Sequence, residues 1–325
     1  VRRRRNSFSQ QMKNRVVITG MGWVTPLGCD VSSVWTKLLA GQNAVGPVSR
    51  YDASTFASNF AAEVKNFRLD HFLHPKHHDL AYHASAGLNS QFALAAAAQA
   101  WSQAGLYDFK GLQPRRVGMY LGSGEGSLDY ENFFAANVAG WNAQSKAVDA
   151  ARWTATALRG MDVFREVEQE PHIALSHLAA AFGCRGPAFN CMTACAASTQ
   201  AIGEACEIIR RGDADCMFAG GSHSMIHPLG MTGFVRLTAM SQRRDSMLTA
   251  ARPFDQTRDG FVMGEGAGMV VLESLEHARA RGAEILAEIA GYGSSADAFR
   301  ITDIQPEGKG AMAAMSQALR QAGLS

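Results

Sequence analysis

Short apolar, β-branched runs alternate along this chain with longer alanine-rich segments, and glycine marks most of the joints. A run of about four to eight such residues bounded by glycine reads as a buried strand. On that basis 15–20 (Arg15-Val16-Val17-Ile18-Thr19-Gly20), 117–122 and 216–221 are strands, and Gly186-Pro187 opens a further strand-like run that reaches Cys191. The helical segments are 31–40, 90–104 closing on Gly105, 196–211 closing on Gly212, and 274–282. Glycine just past such a segment is a helix stop. Residues 261–272 read as two strands joined by a glycine-rich turn, and 130–170 as helical loops covering a site. Strands alternating with helices predict an α/β architecture.

The pattern also repeats. Gln99-Ala100-Trp101-Ser102-Gln103-Ala104-Gly105-Leu106 returns as Gln317-Ala318-Leu319-Arg320-Gln321-Ala322-Gly323-Leu324. Each copy ends an alanine-rich helix and follows a strand ending Ile-x-Gly-x-Gly, at 18–22 and 289–293. Two signatures recurring in the same order predict a duplicated α/β unit. The expected organisation is a disordered basic tail at 1–14, a first half at 15–283, and the start of a second half at 284–325. The first half runs on from its repeat through Leu272, so the second is expected to be cut short.

Composition narrows the function classes. The chain has 325 residues, 47% hydrophobic and 18% charged, with a formal net charge of +2. That balance is ordinary for a globular protein and argues for no nucleic-acid partner. Four positive charges sit in Arg2-Arg3-Arg4-Arg5, which reads as a solvated end; its short acid-free stretch only faintly resembles a transit peptide, and Met12 is a candidate true start. Nothing reads as a secretory signal, and no apolar run approaches the length of a membrane span. The six cysteines (29, 184, 191, 195, 206, 216) contain no C-x-x-C pair, which argues against zinc and a disulfide framework and suits a reducing cytoplasm. Cys206 and Cys216 are expected to fill core space.

The chemistry concentrates on Cys195, in Phe189-Asn190-Cys191-Met192-Thr193-Ala194-Cys195-Ala196-Ala197-Ser198-Thr199. Here a strand runs straight into a helix of small residues. A cysteine at that first turn faces unpaired backbone N–H groups and the positive end of the helix dipole. Both favour the thiolate, which is the nucleophile. Ala194, Ala196 and Ala197 leave room for a bulky acyl group. The competing reading is a cysteine packed as a small apolar residue.

With this peptide, the glycine loops and the duplication in hand, the chain resembles the β-ketoacyl-acyl-carrier-protein synthases, most of all the type II elongating enzymes. The matching stretches are Val16-Val17-Ile18-Thr19-Gly20-Met21-Gly22 with Thr25-Pro26-Leu27-Gly28, then Gly122-Ser123-Gly124, and Thr193-Ala194-Cys195-Ala196-Ala197-Ser198. Gly212-Asp213-Ala214-Asp215, Ala219-Gly220-Gly221, Arg252-Pro253-Phe254-Asp255 and the run from Arg258-Asp259-Gly260 through Gly264-Glu265-Gly266-Ala267-Gly268 follow in the family's order. The resemblance implies a thiolase-like layered αβαβα fold built from two duplicated α/β halves. It implies a decarboxylating Claisen condensation through an acyl-Cys195 intermediate, with acyl- and malonyl-loaded carrier protein as partners, no cofactor or metal, and a homodimer. Phe234 matches a position that lines the acyl pocket.

Three departures qualify the match. The family's two catalytic histidines and its lysine lie in C-terminal motifs expected beyond Ser325. Glu125 stands where long-chain synthases carry an apolar residue at the acyl pocket; an unpaired carboxylate is costly to bury there, which argues against long-chain substrates. The basic carrier-docking cluster is here Lys76-His77-His78, less charged at neutral pH.

Other signals carry less. Gly20-Met21-Gly22 lacks the third glycine of a dinucleotide fingerprint, and the remaining glycine loops lack a phosphate-loop lysine. His71, His74, His77 and His78 are expected to share an exposed face. His172, His177, His223 and His227 are the histidines present that could assist Cys195, each with a structural role as the simpler expectation. Asp255, Asp259 and Glu265 are expected to pair with Arg252 and Arg258. The leading expectation is a ketosynthase; the alternatives are a non-condensing, carrier-binding partner and a cysteine acyltransferase or thioesterase.

Overall fold

The computed structural model describes residues 14–124, 126–300 and 303–324. Its strands are β1 (Val16–Val24), β2 (Gly46–Pro47), β3 (Phe60–Ala61), β4 (Val117–Ser123), β5 (Trp141–Asn142), β6 (Ala147–Val148), β7 (Ala188–Cys191), β8 (Cys216–His223), β9 (Gly266–Ser274) and β10 (Ala287–Glu288). The helices are α1 (Val31–Leu39), α2 (Leu88–Gln103), α3 (Tyr130–Gly140), α4 (Ala150–Gly160), α5 (Val163–Val167), α6 (Ile173–Phe182), α7 (Ala197–Arg210), α8 (Pro228–Arg236), α9 (Leu275–Ala280) and α10 (Lys309–Ala322). Six strands form one mixed sheet in the order β10-β1-β9-β8-β4-β7. Within it β7, β4 and β8 run parallel, and β9 runs antiparallel to β8 and β1.

The strand residues alternate between two cores because successive side chains point to opposite faces. Phe218, Met269, Val271 and Leu121 pack on the α2 side, while Met217, Ala219 and Leu272 pack with Ala205, Ile208 and Ile209 of α7. A register shift between Ile18 and Gly20 splits β1. Val16 and Ile18 face the α7 core, whereas Val24 joins the α2 core. An extra residue in a strand reverses facing in this way.

Helix α2 is buried on nearly every side, with Ala93 through Ala97 fully covered. Its small side chains let its backbone come close to β1. A Cβ on Gly20 would lie 2.0 Å from the Ala100 carbonyl oxygen, and one on Gly22 2.0 Å from that of Ala96. The repeat reproduces this contact: Gly291 and Gly293 would meet the Ala318 and Ala314 carbonyl oxygens at 2.1 and 1.9 Å. The glutamines follow suit, Gln103 Oε1 accepting from Met21 N (2.8 Å) and Gln321 Oε1 from Tyr292 N (2.6 Å).

The strand and helix expectations for 15–20, 31–40, 90–104, 117–122, 196–211, 216–221 and 274–282 hold to within a few residues at their ends. The segment 130–170 is helical, with a short β5–β6 hairpin between α3 and α4. Residues 261–272 are not two strands. Only β9 forms there; Phe261 and Gly264 make isolated bridges to Met240 and Ala62. The stretch leaves the sheet to bury the Glu265 carboxylate against Arg50, an interaction a regular strand pair would not reach.

The acid pairings also differ from expectation. Asp259 meets Arg243 (3.3 Å), Glu265 meets Arg50, and Asp255 accepts from Thr257 Oγ1 (2.7 Å). Arg258 instead donates to the Asp255 backbone oxygen at 2.9 Å. The shared histidine face fails at one position. His71, His74 and His77 are exposed, but the turn at 74–78 rotates His78 inward, onto the Tyr107 hydroxyl (2.8 Å) and edge-on to Phe182. The tail at 1–13 lies outside the described residues.

Candidate active site

The three parallel strands β7, β4 and β8 end side by side, with Cys191 level with Gly122 and Ser123 level with Ser222. Open α/β sheets hold their reacting groups at such carboxyl ends. Cys195 follows β7, the Gly124 loop follows β4, and the 223–227 segment follows β8.

Between β7 and α7 the chain makes a sharp elbow. Ala194 takes φ +50, a left-handed conformation that a residue with a Cβ adopts at a cost of about 1 kcal/mol or more. A 3₁₀ turn over Ala194–Ala196 then leads into α7. Side chains secure the elbow: Thr193 Oγ1 donates to Gln200 Oε1 and lies 3.1 Å from Cys191 Sγ, while Gln200 Nε2 donates to Ser294 Oγ at 3.2 Å. Below it the sheet offers no side chains. A Cβ on Gly122 would lie 2.5 Å from Ser198 N, and one on Gly221 would lie 2.0 Å from Ser198 Oγ.

The result is a cysteine at the mouth of a helix, exposed, beside the small residues Ala196 and Ala197. The N–H groups expected to be unpaired are in use: Ala196 N donates to the Thr193 oxygen (3.2 Å) and Ala197 N to the Ala194 oxygen, which leaves the positive end of the α7 dipole beside Cys195. The other thiols differ. Cys184, Cys206 and Cys216 are buried, and burial pushes the first two up to about 12 and the third well above its ordinary value. Cys206 and Cys216 thus fill core space as expected. Cys191 is half-buried and turned onto Thr193 and Gln200.

A cavity of 420 Å³ opens at the same end of the sheet, lined by Gly126, Leu128, Gln169, His223, His227 and Phe234 among others. Phe234 sits on α8 and meets Phe261 edge-on, with ring centroids 5.4 Å apart. His227 caps α8 through Nδ1, which accepts from Gly230 N at 3.3 Å, and stacks on Tyr130. Glu265 braces the wall: its buried carboxylate accepts from Arg50, from Val64 N (2.7 Å) and from Ser224 Oγ (3.0 Å). Glu125 lies outside the described residues. Its neighbour Gly124 faces the His223 ring, 3.4 Å from where a Cβ would stand.

Of the remaining histidines, His172 is exposed on the surface. His177 is buried, bonded through Nε2 to Glu168 Oε1 (2.7 Å) and through Nδ1 to His83 Nδ1 (3.0 Å). This buried trio, like Gln200 and the Arg50–Glu265 pair, has no counterpart in sequence reasoning. His83 lies 94 residues from His177, and the nine-residue step from Glu168 to His177 is no diagnostic spacing. Among the described residues no group of three or more His, Cys, Asp or Glu is placed to hold a metal ion. No described helix is long and apolar enough to cross a membrane.

The fold and site define an α/β protein with an exposed cysteine at a strand-to-helix elbow and a cavity at the same end of the sheet. Residues 13–278 match the beta-ketoacyl synthase N-terminal domain. The 3-oxoacyl-[acyl-carrier-protein] synthase 2 of Coxiella burnetii is 38% identical over 315 residues, covering 96% of this chain and 70% of that protein. A solved beta-ketoacyl synthase from Burkholderia phymatum superposes with a TM-score of 0.80 at 32% identity, over 96% of this chain and 71% of that one. A type II polyketide ketosynthase, solved with its acyl-carrier protein and bound to the hexaketide, gives a TM-score of 0.77 at 29% identity, over 97% and 71%. This chain belongs to the beta-ketoacyl synthase family, and its layered sheet and helices are the thiolase-like fold of that family.

Proposed function

We propose that Cys195 is the nucleophile of a decarboxylating Claisen condensation in fatty acid or polyketide synthesis. Its sulfur attacks the carbonyl of an acyl thioester. A new C–S bond forms to Cys195, the carrier's thiol departs with a proton, and the enzyme holds the acyl group. A malonyl thioester then loses carbon dioxide, and the electron pair left on its α-carbon attacks the acyl carbonyl. The bond to Cys195 breaks, giving a β-ketoacyl thioester and a free cysteine. The positive end of the α7 dipole favours the oxygen that gains charge in both acyl-transfer steps.

The single observation that carries this reading is the exposed Cys195 at a glycine-floored elbow, while three other cysteines are sealed in the core. Phe234 lines the apolar cavity and is assigned to the acyl pocket. Glu125, beside the cavity residue Gly126 in sequence, is assigned to the same pocket on the family pattern alone. The carrier is an acyl carrier protein, as in the neighbouring polyketide complex. Of the docking cluster Lys76-His77-His78, Lys76 and His77 are exposed and offer it a weakly basic face, while His78 is buried and drops out. The family resemblance assigns a homodimer. Six free cysteines fit a cytoplasmic setting.

Intact-mass analysis after mixing with acyl-carrier protein tests the nucleophile. We expect one acyl adduct that maps to Cys195 and is absent from Cys195→Ala. Radiolabelled malonyl-carrier protein tests the condensation, with carbon dioxide released only when the acyl-enzyme is present. An acyl adduct without that release supports a simple acyltransferase or thioesterase, and no adduct on Cys195 overturns the assignment.

A further inference from the structure

We propose that the buried chain His83–His177–Glu168 is a positioning device that sets the cavity wall at 126–128 and so selects the length of acyl group that Cys195 accepts. The inference rests on the acyl-transfer reading above.

Glu168 acts on both sides of the wall. Its backbone oxygen accepts from Ser127 N (2.9 Å), next to a second clamp from Gly126 N to the Gln169 oxygen (3.0 Å). Its carboxylate Oε2 accepts from Gly87 N (2.9 Å), and Ser127 Oγ accepts from Leu88 N (3.1 Å). Helix α2 has glycine at its N-cap and no cap of its own, so Glu168 and Ser127 supply one. Residue 126 must be glycine for this approach: a Cβ there would lie 1.9 Å from the Glu168 oxygen. Gly126, Leu128 and Gln169 line the cavity, so the same clamp that caps α2 fixes the wall.

The histidines hold that carboxylate in one orientation. An ionised carboxylate only accepts, so His177 Nε2 donates to Glu168 and its Nδ1 is left to accept. His83 Nδ1 lies 3.0 Å away and supplies the proton. Each group in the row thereby has a role, which fixes both tautomers. Burial and the neighbouring His177 depress His83 to about 4, so it stays neutral at physiological pH. None of the three side chains lines the 420 Å³ cavity itself. They act through the backbone of 126–128 and do not touch the acyl chain.

The test compares rates of Cys195 acylation, by intact mass, with butyryl and dodecanoyl N-acetylcysteamine thioesters. Glu168→Ala and His177→Leu are expected to lower the dodecanoyl-to-butyryl ratio by about tenfold, the size that follows from leaving a buried partner unmade. Glu168→Gln is expected to stay within about twofold of wild type, because the amide accepts from Gly87 N–H while its NH₂ donates to His177 and the row reverses polarity. His83→Leu leaves the clamp itself intact and gives a smaller fall in the same direction. An unchanged ratio in folded Glu168→Ala and His177→Leu overturns the proposal. So does a Glu168→Gln ratio as low as that of Glu168→Ala, and so does failure of Glu168→Ala, His177→Leu and His83→Leu alike to fold. Hydrogen exchange at 126–128, faster in Glu168→Ala, reads the positioning alone. If wild type takes no acyl group at all, the function reading fails while this measurement still decides the positioning.

Discussion

Gly122 of β4 and Ser198 of α7 approach so closely that a single added carbon on the glycine would stand 2.5 Å from the serine nitrogen. The nearest atoms are backbone on both sides, so no rotamer change relieves the contact. Gly122→Ala is expected to push the start of α7 off the sheet and to destabilise the protein by about 1–3 kcal/mol, as overpacking does. A lower denaturant midpoint, together with slower acylation of Cys195 in the protein that remains folded, checks both effects.

The duplicated glycine contacts make a paired prediction. Gly20 and Gly291 occupy matching places against Ala100 and Ala318, each with a carbonyl oxygen about where a Cβ would go. Gly20→Ala and Gly291→Ala should both destabilise by about 1–3 kcal/mol. The Gly20 change should cost more, because α2 is buried on nearly every side whereas α10 buries only Gly310. Urea denaturation of the two variants measures the difference.

Much of this was legible in the chain, for identifiable reasons. Repeated Ile-x-Gly-x-Gly and Gln-Ala spacing survived because helix and strand meet backbone to backbone, which permits only glycine and small residues. Cys195 stood out because its neighbours in the chain are small and a helix follows it. Contacts made across long sequence separations were not. Arg50 with Glu265, and His83 with His177, carry no local period, and Asp259 found Arg243 where nearer arginines had been expected. Glycine-rich 261–272 misled for a related reason: its composition suits a turn between strands, but burying Glu265 decides its path.

Acid should weaken the fold through Glu273. Burial alone would raise its carboxyl, but hydrogen bonds from Arg281 (2.8 Å), His277 (2.6 Å) and Thr19 (2.5 Å) outweigh it and hold the group at about 2, down from 4.5. The folded value lies below the unfolded one, so this contribution is complete above the unfolded value. It is lost as pH falls from about 4.5 towards 2, and amounts to about 3 kcal/mol. Glu273→Gln should be less stable at neutral pH and should show a flatter dependence of urea midpoint across that acid window.

Enlarging the cavity at Phe234 tests the proposal that it receives the acyl group. Its ring lines the cavity and leans on Phe261, so Phe234→Ala opens space without removing a polar contact. Half-buried Phe234 should cost about 1–2 kcal/mol of stability on truncation. Acylation should shift towards longer or branched acyl thioesters, read as relative rates of Cys195 adduct formation. An unaltered preference would place the acyl chain elsewhere.

Thiol accessibility gives the most direct test of which cysteine reacts. Cys184, Cys206 and Cys216 are buried and their thiols raised, so in the native protein they should resist iodoacetamide at neutral pH. Cys29 is also raised by partial burial, and Cys191 faces Thr193 and Gln200, leaving Cys195 as the exposed thiol. The fastest adduct should therefore map to Cys195 and disappear in Cys195→Ala. That exposed substitution should change stability by less than about 0.5 kcal/mol, because it removes neither core volume nor a hydrogen bond. Prior acylation should block the same adduct. Fast labelling at Cys191 in its place would overturn the assignment of Cys195 as the nucleophile.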